Sequence, residues 1–210
     1  MIKDTDQRVH GIKKYLWPGI PLLLFIAGIS VPSWAGEPTD QVRQSTDKII
    51  AILNNPTLQA PEKAADRIKA IREAVHERFD WEEMSRRTLA RHWARRTEEE
   101  RKEFIHLFGR LLERTYVNKI DGQAGVKIIY LEETIYKDKP NYGIVAAKIV
   151  TEKHTEIPVE YRVKKKANDW YVYDIAIEGI SLIKNYRSQF NDIIVGSSYQ
   201  NLIDRLKVKI

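Results

Sequence analysis

Two pairs of acidic and histidine side chains have the spacing of metal ligands. Glu73 precedes His76 by three residues, and Glu103 precedes His106 by the same interval, each within a segment of helical periodicity. Two such motifs on facing helices form half of a di-iron carboxylate site. Both pairs fall off the apolar stripe of their helix, so they do not face a common interior. We therefore expect no metal and no other cofactor.

Asp174 is an acid within a strongly apolar run, between Tyr173 and Ile175. Its predicted neighbours on the same strand face are Val172 and Ala176. Cone-shaped α+β folds that host isomerases and dehydratases use a buried acid as a base, but that chemistry needs further convergent groups. No second acid or histidine accompanies this one, and the chain contains no G-x-S-x-G, P-loop or G-x-G-x-x-G motif. We expect a structural aspartate and a protein that is not an enzyme.

The chain has a net charge of +6 and a basic run from Arg86 to Lys102 that surrounds Trp93. Such a run usually forms a solvated surface. It also suits anionic lipid head groups or the acidic surface of a partner protein. No nucleic-acid-binding signature accompanies it, so we expect no nucleic-acid partner. The residues that we predict for docking to a partner or to head groups are Arg86, Arg87, Arg91, Arg95 and Arg96.

The N-terminal segment has the features of a secretory signal peptide. Lys13 and Lys14 precede an apolar run, residues 15–31, which prolines and a glycine interrupt. Ser33-Trp34-Ala35 then places small residues at the two positions that a signal peptidase reads. We predict cleavage after Ala35, with an uncleaved anchor as the alternative. The chain contains no cysteine, so neither a disulfide nor a thiolate site contributes after export.

Three helices are predicted between residues 37 and 90, and a longer one begins at Thr97. Apolar residues recur at steps of three and four in these segments. Thr97-Glu98-Glu99-Glu100 fits a capping box, in which the Thr97 hydroxyl accepts from the backbone and the Glu100 carboxylate bonds back. Asp80 is the predicted cap of the third helix. The predicted helical ranges are 37–55, 62–79, 81–90 and 97–120.

Four β-rich segments follow the long helix, and two more helices end the chain. The links between the strands are short and polar, which favours an antiparallel meander. Helices, then strands, then helices without βαβ alternation indicate an α+β fold. We predict one domain over 36–210, with a mostly helical part (36–96) before the long helix, the sheet and the last helices (97–210). The predicted ranges are 126–135, 142–151, 156–166 and 170–177 for the strands and 181–194 and 199–206 for the helices.

Three of the strands alternate apolar and polar residues, so each has one apolar face. From periodicity alone such a face is ordinary core. Ala147 is small, however, and leaves room that a packed core would fill. The residues predicted to share a face within their strand are Val145, Ala147 and Ile149; Val159, Tyr161 and Val163; and Tyr171, Tyr173, Ile175 and Ile177.

Five sequence motifs occur in fixed order along the exported chain. They are F-D-W-E-E-M-S-R-R-T-L-A-R-H-W (79–93), F-G-R-L-L-E-R-T-Y (108–116), V-E-Y-R-V (159–163), W-Y-V-Y-D (170–174) and E-G-I-S-L-I-x-N-Y-R-S-Q-F (178–190). With these motifs the chain resembles the MlaC family, also called toluene-tolerance proteins. Members of that family bind phospholipid in the periplasm as auxiliary components of an ABC transporter in the Mla pathway, which maintains the lipid asymmetry of the outer membrane.

The resemblance implies an NTF2-like fold, in which a curved antiparallel sheet of about four strands wraps around a long helix and a helical subdomain is added. It also implies that the apolar faces line a cavity for the acyl chains of a phospholipid rather than a packed core. The residues predicted to line that cavity are Phe104, Phe108, Leu111, Tyr116, Val145, Ala147, Ile149, Val159, Tyr161, Val163, Tyr173, Ile175, Ile177, Ile180, Ile183 and Tyr186.

The resemblance further implies a monomeric periplasmic shuttle for a glycerophospholipid. Its partners would be an inner-membrane ABC transporter complex with an MCE-domain protein and an outer-membrane lipoprotein complex. The alternative is an exported NTF2-like enzyme, of the isomerase or dehydratase type, that acts on a small apolar substrate. Phospholipid that purifies with the protein would distinguish a shuttle from such an enzyme.

Overall fold

The computed structural model describes residues 36–121 and 125–210, so the predicted signal peptide lies outside the described residues. The predicted helices are present, and the long one contains a π-helical segment. Among the described residues, no helix is long and apolar enough to cross a bilayer. The helices are α1 (Glu37–Leu53), α2 (Pro56–Gln59), α3 (Ala64–Arg78), α4 (Trp81–Leu89), α5 (Glu98–Leu112), α6 (Asn118–Asp121), α7 (Leu182–Gly196) and α8 (Tyr199–Lys209), with 3-10 segments at Pro61–Lys63 and Ala90–Arg95 and a π segment at Glu113–Val117.

Helix ends follow the predicted local chemistry. The Asp80 side chain accepts a hydrogen bond from the Glu83 amide at 3.0 Å and so caps α4. Thr97 and Glu100 form the predicted capping box at the start of α5. Each cap satisfies backbone donors that a helix leaves unpaired in its first turn.

The sheet is an antiparallel meander in the order β1-β2-β3-β4-β5. This arrangement confirms the predicted α+β fold. The sequence did not predict the short last strand, which precedes α7. The strands are β1 (Lys127–Tyr136), β2 (Lys139–Val150), β3 (Glu156–Lys166), β4 (Asp169–Ile177) and β5 (Ile180–Ser181).

Paired residues of neighbouring strands share a face of the sheet, and we call the face that carries Val145 the inner face. Its side chains form four rows across the strands. These rows are Ile128, Ile149 and Ile157; Tyr130, Ala147, Val159, Ile177 and Ile180; Glu133, Val145, Tyr161 and Ile175; and Ile135, Gly143, Val163 and Val172.

A β-bulge in β4 corrects one prediction. Arg162 pairs with Asp174, whereas the next residue, Val163, pairs with Val172, so Tyr173 is the extra residue. The prediction that Tyr171 and Tyr173 share a face with Ile175 and Ile177 is therefore wrong. For the same reason Val172 is not a neighbour of Asp174 on one face. A bulge reverses the alternation at a single residue, and strict alternation does not anticipate it.

Buried apolar residues form three clusters. The helical cluster joins α4, α5, α7 and α8 with Tyr173. The sheet cluster consists of inner-face residues with Trp170 of β4 and Val42 of α1. A third, smaller cluster of Leu53, Ile71 and Val117 lies among α1, α3 and the π segment. The helix that lies along the sheet is α1, which contacts β1, β2 and β4.

Candidate functional site: the inner face of the sheet

The inner face changes from buried to exposed along one row. Ala147 and Val159 are almost fully buried, at 2% and 3% exposure, whereas Ile177 is 43% and Ile180 is 67% exposed. Ile177 and Ile180 are paired across β4 and β5, so two large aliphatic side chains lie side by side at the surface. Adjacent exposed apolar side chains are unusual and often mark a binding site. The apolar interior of the sheet therefore reaches solvent at the β4–β5 corner.

Helix α1 covers the inner face and is held there by polar contacts with β1. The Thr39 amide and hydroxyl both donate to one carboxylate oxygen of Glu133, at 2.9 and 2.6 Å. The Thr46 hydroxyl is hydrogen-bonded to the Tyr130 hydroxyl. Val42 is the buried α1 side chain that belongs to the sheet cluster. Helix α1 is also bonded to β3 and β4, because Gln41 accepts from the Trp170 amide at 2.8 Å and Glu37 lies 2.9 Å from Lys165. Polar contacts thus hold α1 to β1, β3 and β4.

The inner face is almost uncharged. Burial raises the pKa of Tyr161, in the middle of the face, well above its ordinary value, and the neighbouring Tyr130 adds to the effect. The phenol of Tyr161 is therefore neutral at every physiological pH. Glu133 is the acidic residue in the four rows, and its carboxylate accepts hydrogen bonds from the amide and the hydroxyl of Thr39. An interior of this kind suits hydrocarbon and disfavours a charged substrate.

The structure separates the predicted cavity residues into two groups. The strand residues share the inner face: Val145, Ala147, Ile149, Val159, Tyr161, Val163, Ile175, Ile177 and Ile180. The others belong to the helical cluster or pack against it: Phe104, Phe108, Leu111, Tyr116, Tyr173, Ile183 and Tyr186. In that second group the Phe108 ring meets the Tyr186 ring edge-on at 5.4 Å, as in a packed core. The structure therefore does not bring the two groups into one cavity.

Several inner-face residues were not predicted. Ile128 and Tyr130 alternate within β1, but Leu131 is an extra residue at a register shift, which masks the pattern. Val42 stands on the apolar side of the first predicted helix. The alternation on either side of Leu131 was the available signal for the β1 residues, whereas no local pattern indicates that α1 packs on the sheet.

The MlaC protein family model matches residues 43–208 of this chain. The chain belongs to the MlaC family. Among solved structures, one match is a phospholipid-binding protein from Ralstonia solanacearum in complex with a phospholipid. It is 23% identical, the alignment covers 83% of this chain and 97% of that chain, and the TM-score is 0.72, which shows a shared fold. Among curated proteins, no sequence matches this chain.

Asp174 in this MlaC-family chain is bonded on all sides. Its carboxylate accepts hydrogen bonds from Arg162 at 3.0 Å, from the Ser181 hydroxyl at 2.6 Å and from the Ile183 amide at 3.0 Å. Arg162 and Asp174 are paired in register and lie on the face opposite Tyr161. These are the bonds to arginine and backbone that were expected of a structural aspartate, and they attach the start of α7 to the sheet. They do not favour the alternative of an exported enzyme.

The two E-x-x-H pairs are engaged in separate ion pairs. His76 lies 2.7 Å from Glu113 of the π segment, and Glu103 lies 2.7 Å from Lys207 of α8. Arg72 also lies 2.8 Å from Glu113. Within residues 36–121 and 125–210, no group of three or more potential metal ligands comes together.

Two of the predicted docking arginines have an internal partner. Arg86 and Arg87 each lie 2.7 Å from an oxygen of Glu83, and Lys164 approaches the other oxygen at 3.0 Å. Burial tends to raise the pKa of Glu83, but hydrogen bonds from these three cations outweigh it and lower that pKa to about 2. Arg86 and Arg87 thus share one buried carboxylate with Lys164, and their guanidinium groups are held in place by the fold.

The other predicted docking arginines differ in their surroundings. Arg96 lies 3.0 Å from Glu100 and stacks over the Tyr199 ring. Arg91 donates to the neutral Asn191 amide oxygen at 2.9 Å. Arg95 is exposed. The basic run therefore divides into cations that support the fold and cations that remain available at the surface.

Proposed function

We propose that this chain is a periplasmic carrier of phospholipid whose acyl chains lie between α1 and the inner face of the sheet. The observation that carries the proposal is the uncharged apolar row that begins at Ala147 and ends, exposed, at Ile180. Membership of the MlaC family supports the ligand class. So does the phospholipid in the structural neighbour from Ralstonia solanacearum.

The energetics favour a carrier that encloses lipid without holding it too tightly. Two acyl chains contain about thirty methylenes, and each costs roughly 0.8 kcal/mol when it is exposed to water. A free lipid therefore does not cross an aqueous space at a useful rate. Transfer from a bilayer to the apolar inner face replaces one hydrocarbon environment by another, so loading and release are both near equilibrium.

Entry at the β4–β5 corner follows from the exposure of the inner face. Ile177 and Ile180 would contact the lipid first, and Val159 lies next to Ile177 in the same row. Helix α1 would shift to admit the chains, because it covers the face with few apolar contacts of its own. The polar contacts of Thr39 and Thr46 with β1, and those of Glu37 and Gln41 with β3 and β4, would limit that shift.

The carrier would exchange lipid, as a monomer, with two membrane complexes. One is an inner-membrane ABC transporter with an MCE-domain protein, and the other is an outer-membrane lipoprotein complex. Within the predicted docking arginines, Arg91 and Arg95 are the best placed for such contacts. Arg86, Arg87 and Arg96 are paired with carboxylates inside the fold.

A matched pair of substitutions on adjacent residues of β2 tests the proposal. Ala147 points to the inner face and Ala146 to the opposite face. Ala147→Trp should fill the space that acyl chains use, whereas Ala146→Trp adds the same ring outside it. We expect the wild-type protein to purify with about one phospholipid per chain by mass spectrometry of organic extracts. Ala147→Trp should lose that lipid, and Ala146→Trp should keep it.

Thermal denaturation decides whether a loss of lipid reflects unfolding. In a close-packed core the added ring costs roughly 1–3 kcal/mol or more. A stable, lipid-free Ala147→Trp variant supports an acyl-chain site on the inner face. Wild-type protein that purifies without lipid would refute the carrier. If a folded Ala147→Trp variant retains its lipid, the acyl chains do not lie on the inner face.

A further inference from the structure

A second, chemically different groove lies between the Ala90–Arg95 segment and α7. It has a volume of about 430 Å³, and its polar lining comes from parts of the chain about a hundred residues apart. No carboxylate lines it. The polar and cationic lining residues are Arg91, His92, Lys184, Arg187, Ser188 and Asn191.

The cations of this groove are not neutralised by the fold. Arg91 donates to the Asn191 amide oxygen at 2.9 Å, and Arg187 donates to the Arg87 carbonyl at 2.7 Å. Both acceptors are neutral, so these bonds orient the guanidinium groups and leave their charge uncompensated. Within the described ranges, no ion pair involves Arg91, Lys184 or Arg187. The neighbouring Arg87, in contrast, is paired with a buried carboxylate.

The positions of these cations do not stabilise the helices that carry them. Lys184 lies in the first turn of α7, which contains no acid, and the helix dipole disfavours a cation there.

Ala90, which also lines the groove, has φ 47° and ψ −118°, a conformation that a residue with a Cβ rarely adopts. This bend turns the chain from α4 so that Arg91 and His92 reach over α7. Strained backbone and unpaired charge at one place are typical of a binding site.

We propose that this groove binds a phosphate group, either of a soluble phosphate ester or of an anionic phospholipid head group. Arg91 and Arg187 offer guanidinium forks, Lys184 offers an ammonium group and Ser188 a hydroxyl. That donor set matches a tetrahedral oxyanion, which would supply the missing negative charge. The site is separate from the inner face, because the start of α7 is bonded to Asp174 on the opposite face of the sheet. The proposal does not depend on the carrier function.

The test uses protein purified from the periplasm and two kinds of probe. Isothermal titration at low salt measures the binding of inorganic phosphate and of glycerol 3-phosphate. Flotation measures binding to vesicles of phosphatidylglycerol and, for comparison, of phosphatidylcholine. The groove variant is Arg91→Gln with Lys184→Gln. The control variant, Lys137→Gln with Lys139→Gln, removes two exposed charges from the β1–β2 turn.

We expect the groove variant to lose at least about tenfold in affinity, because it removes two cationic donors of charge-assisted hydrogen bonds to phosphate. The control variant should bind as wild type does, and both variants should keep the thermal stability of the wild type. Loss of binding to the soluble phosphates identifies a phosphate-ester site, and loss confined to phosphatidylglycerol vesicles identifies a head-group site. Equal losses of affinity in both variants would show that binding depends only on the net charge of the protein, and would overturn the proposal. Absence of binding to all of these probes would overturn it as well.

Discussion

Two arginines of the basic run and Lys164 of β3 converge on the Glu83 carboxylate, so its removal should be costly. The side chain is 4% exposed and lies within 3.0 Å of Arg86, Arg87 and Lys164. Glu83→Gln preserves the shape but leaves three cations without their counter-ion. Removal of one partner from a buried ion pair destabilises by about 3–5 kcal/mol in general.

The pKa of Glu83 gives an independent magnitude. It falls from 4.5 to about 2 in the folded protein. Each unit of that fall corresponds to about 1.4 kcal/mol, so the charged form stabilises the fold by roughly 3 kcal/mol at neutral pH, and by less where water reaches the arginines. Since the folded pKa is the lower one, this contribution is complete above pH 4.5. It is lost as the pH falls towards 2.

Urea denaturation of the wild type and of Glu83→Gln between pH 7 and pH 2.5 measures both consequences. The variant should be less stable by roughly 2–3 kcal/mol at pH 7, and the difference should shrink below pH 4.5. Glu82→Gln is the control, because Glu82 is the adjacent residue of α4 and is exposed. A Glu83→Gln variant that is no less stable than Glu82→Gln, or a difference that is independent of pH, would refute the reasoning.

Three further predictions concern the two faces of the sheet. Asp174→Asn should destabilise the protein by about 2–4 kcal/mol in urea denaturation, because Arg162 loses its buried counter-ion. The control Asp192→Asn, at an exposed position of α7, should have little effect. Thr46→Val should lower stability by only about 1 kcal/mol, yet it should increase hydrogen exchange in α1 and the rate of lipid exchange, because it removes one of the bonds between α1 and β1. Ile180→Asp should leave the melting temperature unchanged and reduce the amount of co-purified lipid, since the side chain is exposed; Val208→Asp, at a still more exposed position of α8, should alter neither.

The sequence predicts the elements of this fold well because its local signals are strong. Thr97 and Glu100 define the start of α5, and Asp80 defines the start of α4, through caps that depend on neighbouring residues alone. The order of helices and strands follows from the periodicity of the apolar residues. Within β3 the alternation is uninterrupted, and Val159, Tyr161 and Val163 all lie on the inner face as expected.

The composition of the site was less predictable because it depends on contacts that are distant in sequence. One extra residue at Tyr173 reverses which side chains of β4 face inward, and nothing in the local sequence marks it. The apolar residues of α5 and α7 look the same whether they line a cavity or pack against each other. Their assignment to the helical cluster follows only from the packing of α8 and Tyr173 against them.

The pairing of charged side chains is also difficult to predict from the sequence. Arg87 and Arg91 cannot be told apart by sequence pattern, because both belong to one basic run. In the fold Arg87 is paired with Glu83, whereas Arg91 meets Lys184 and no carboxylate. The surface potential of the protein is therefore set by which cations lack partners rather than by where cations are most frequent.

The two faces of the sheet have different roles, and this separation bears on how a carrier stays folded when it is empty. On one face, Asp174 attaches α7 to β4, and the helical cluster is packed around Phe104 and Phe108, both fully buried. On the other face, α1 is held by hydrogen bonds to β1 and to the start of β4, and it contributes Val42 to the sheet cluster. Stability that resides in the helical cluster does not depend on what occupies the inner face. In the proposed carrier, the inner face would exchange part of its contacts with α1 for contacts with hydrocarbon. The polar bonds of α1 to β1, β3 and β4 would oppose that exchange.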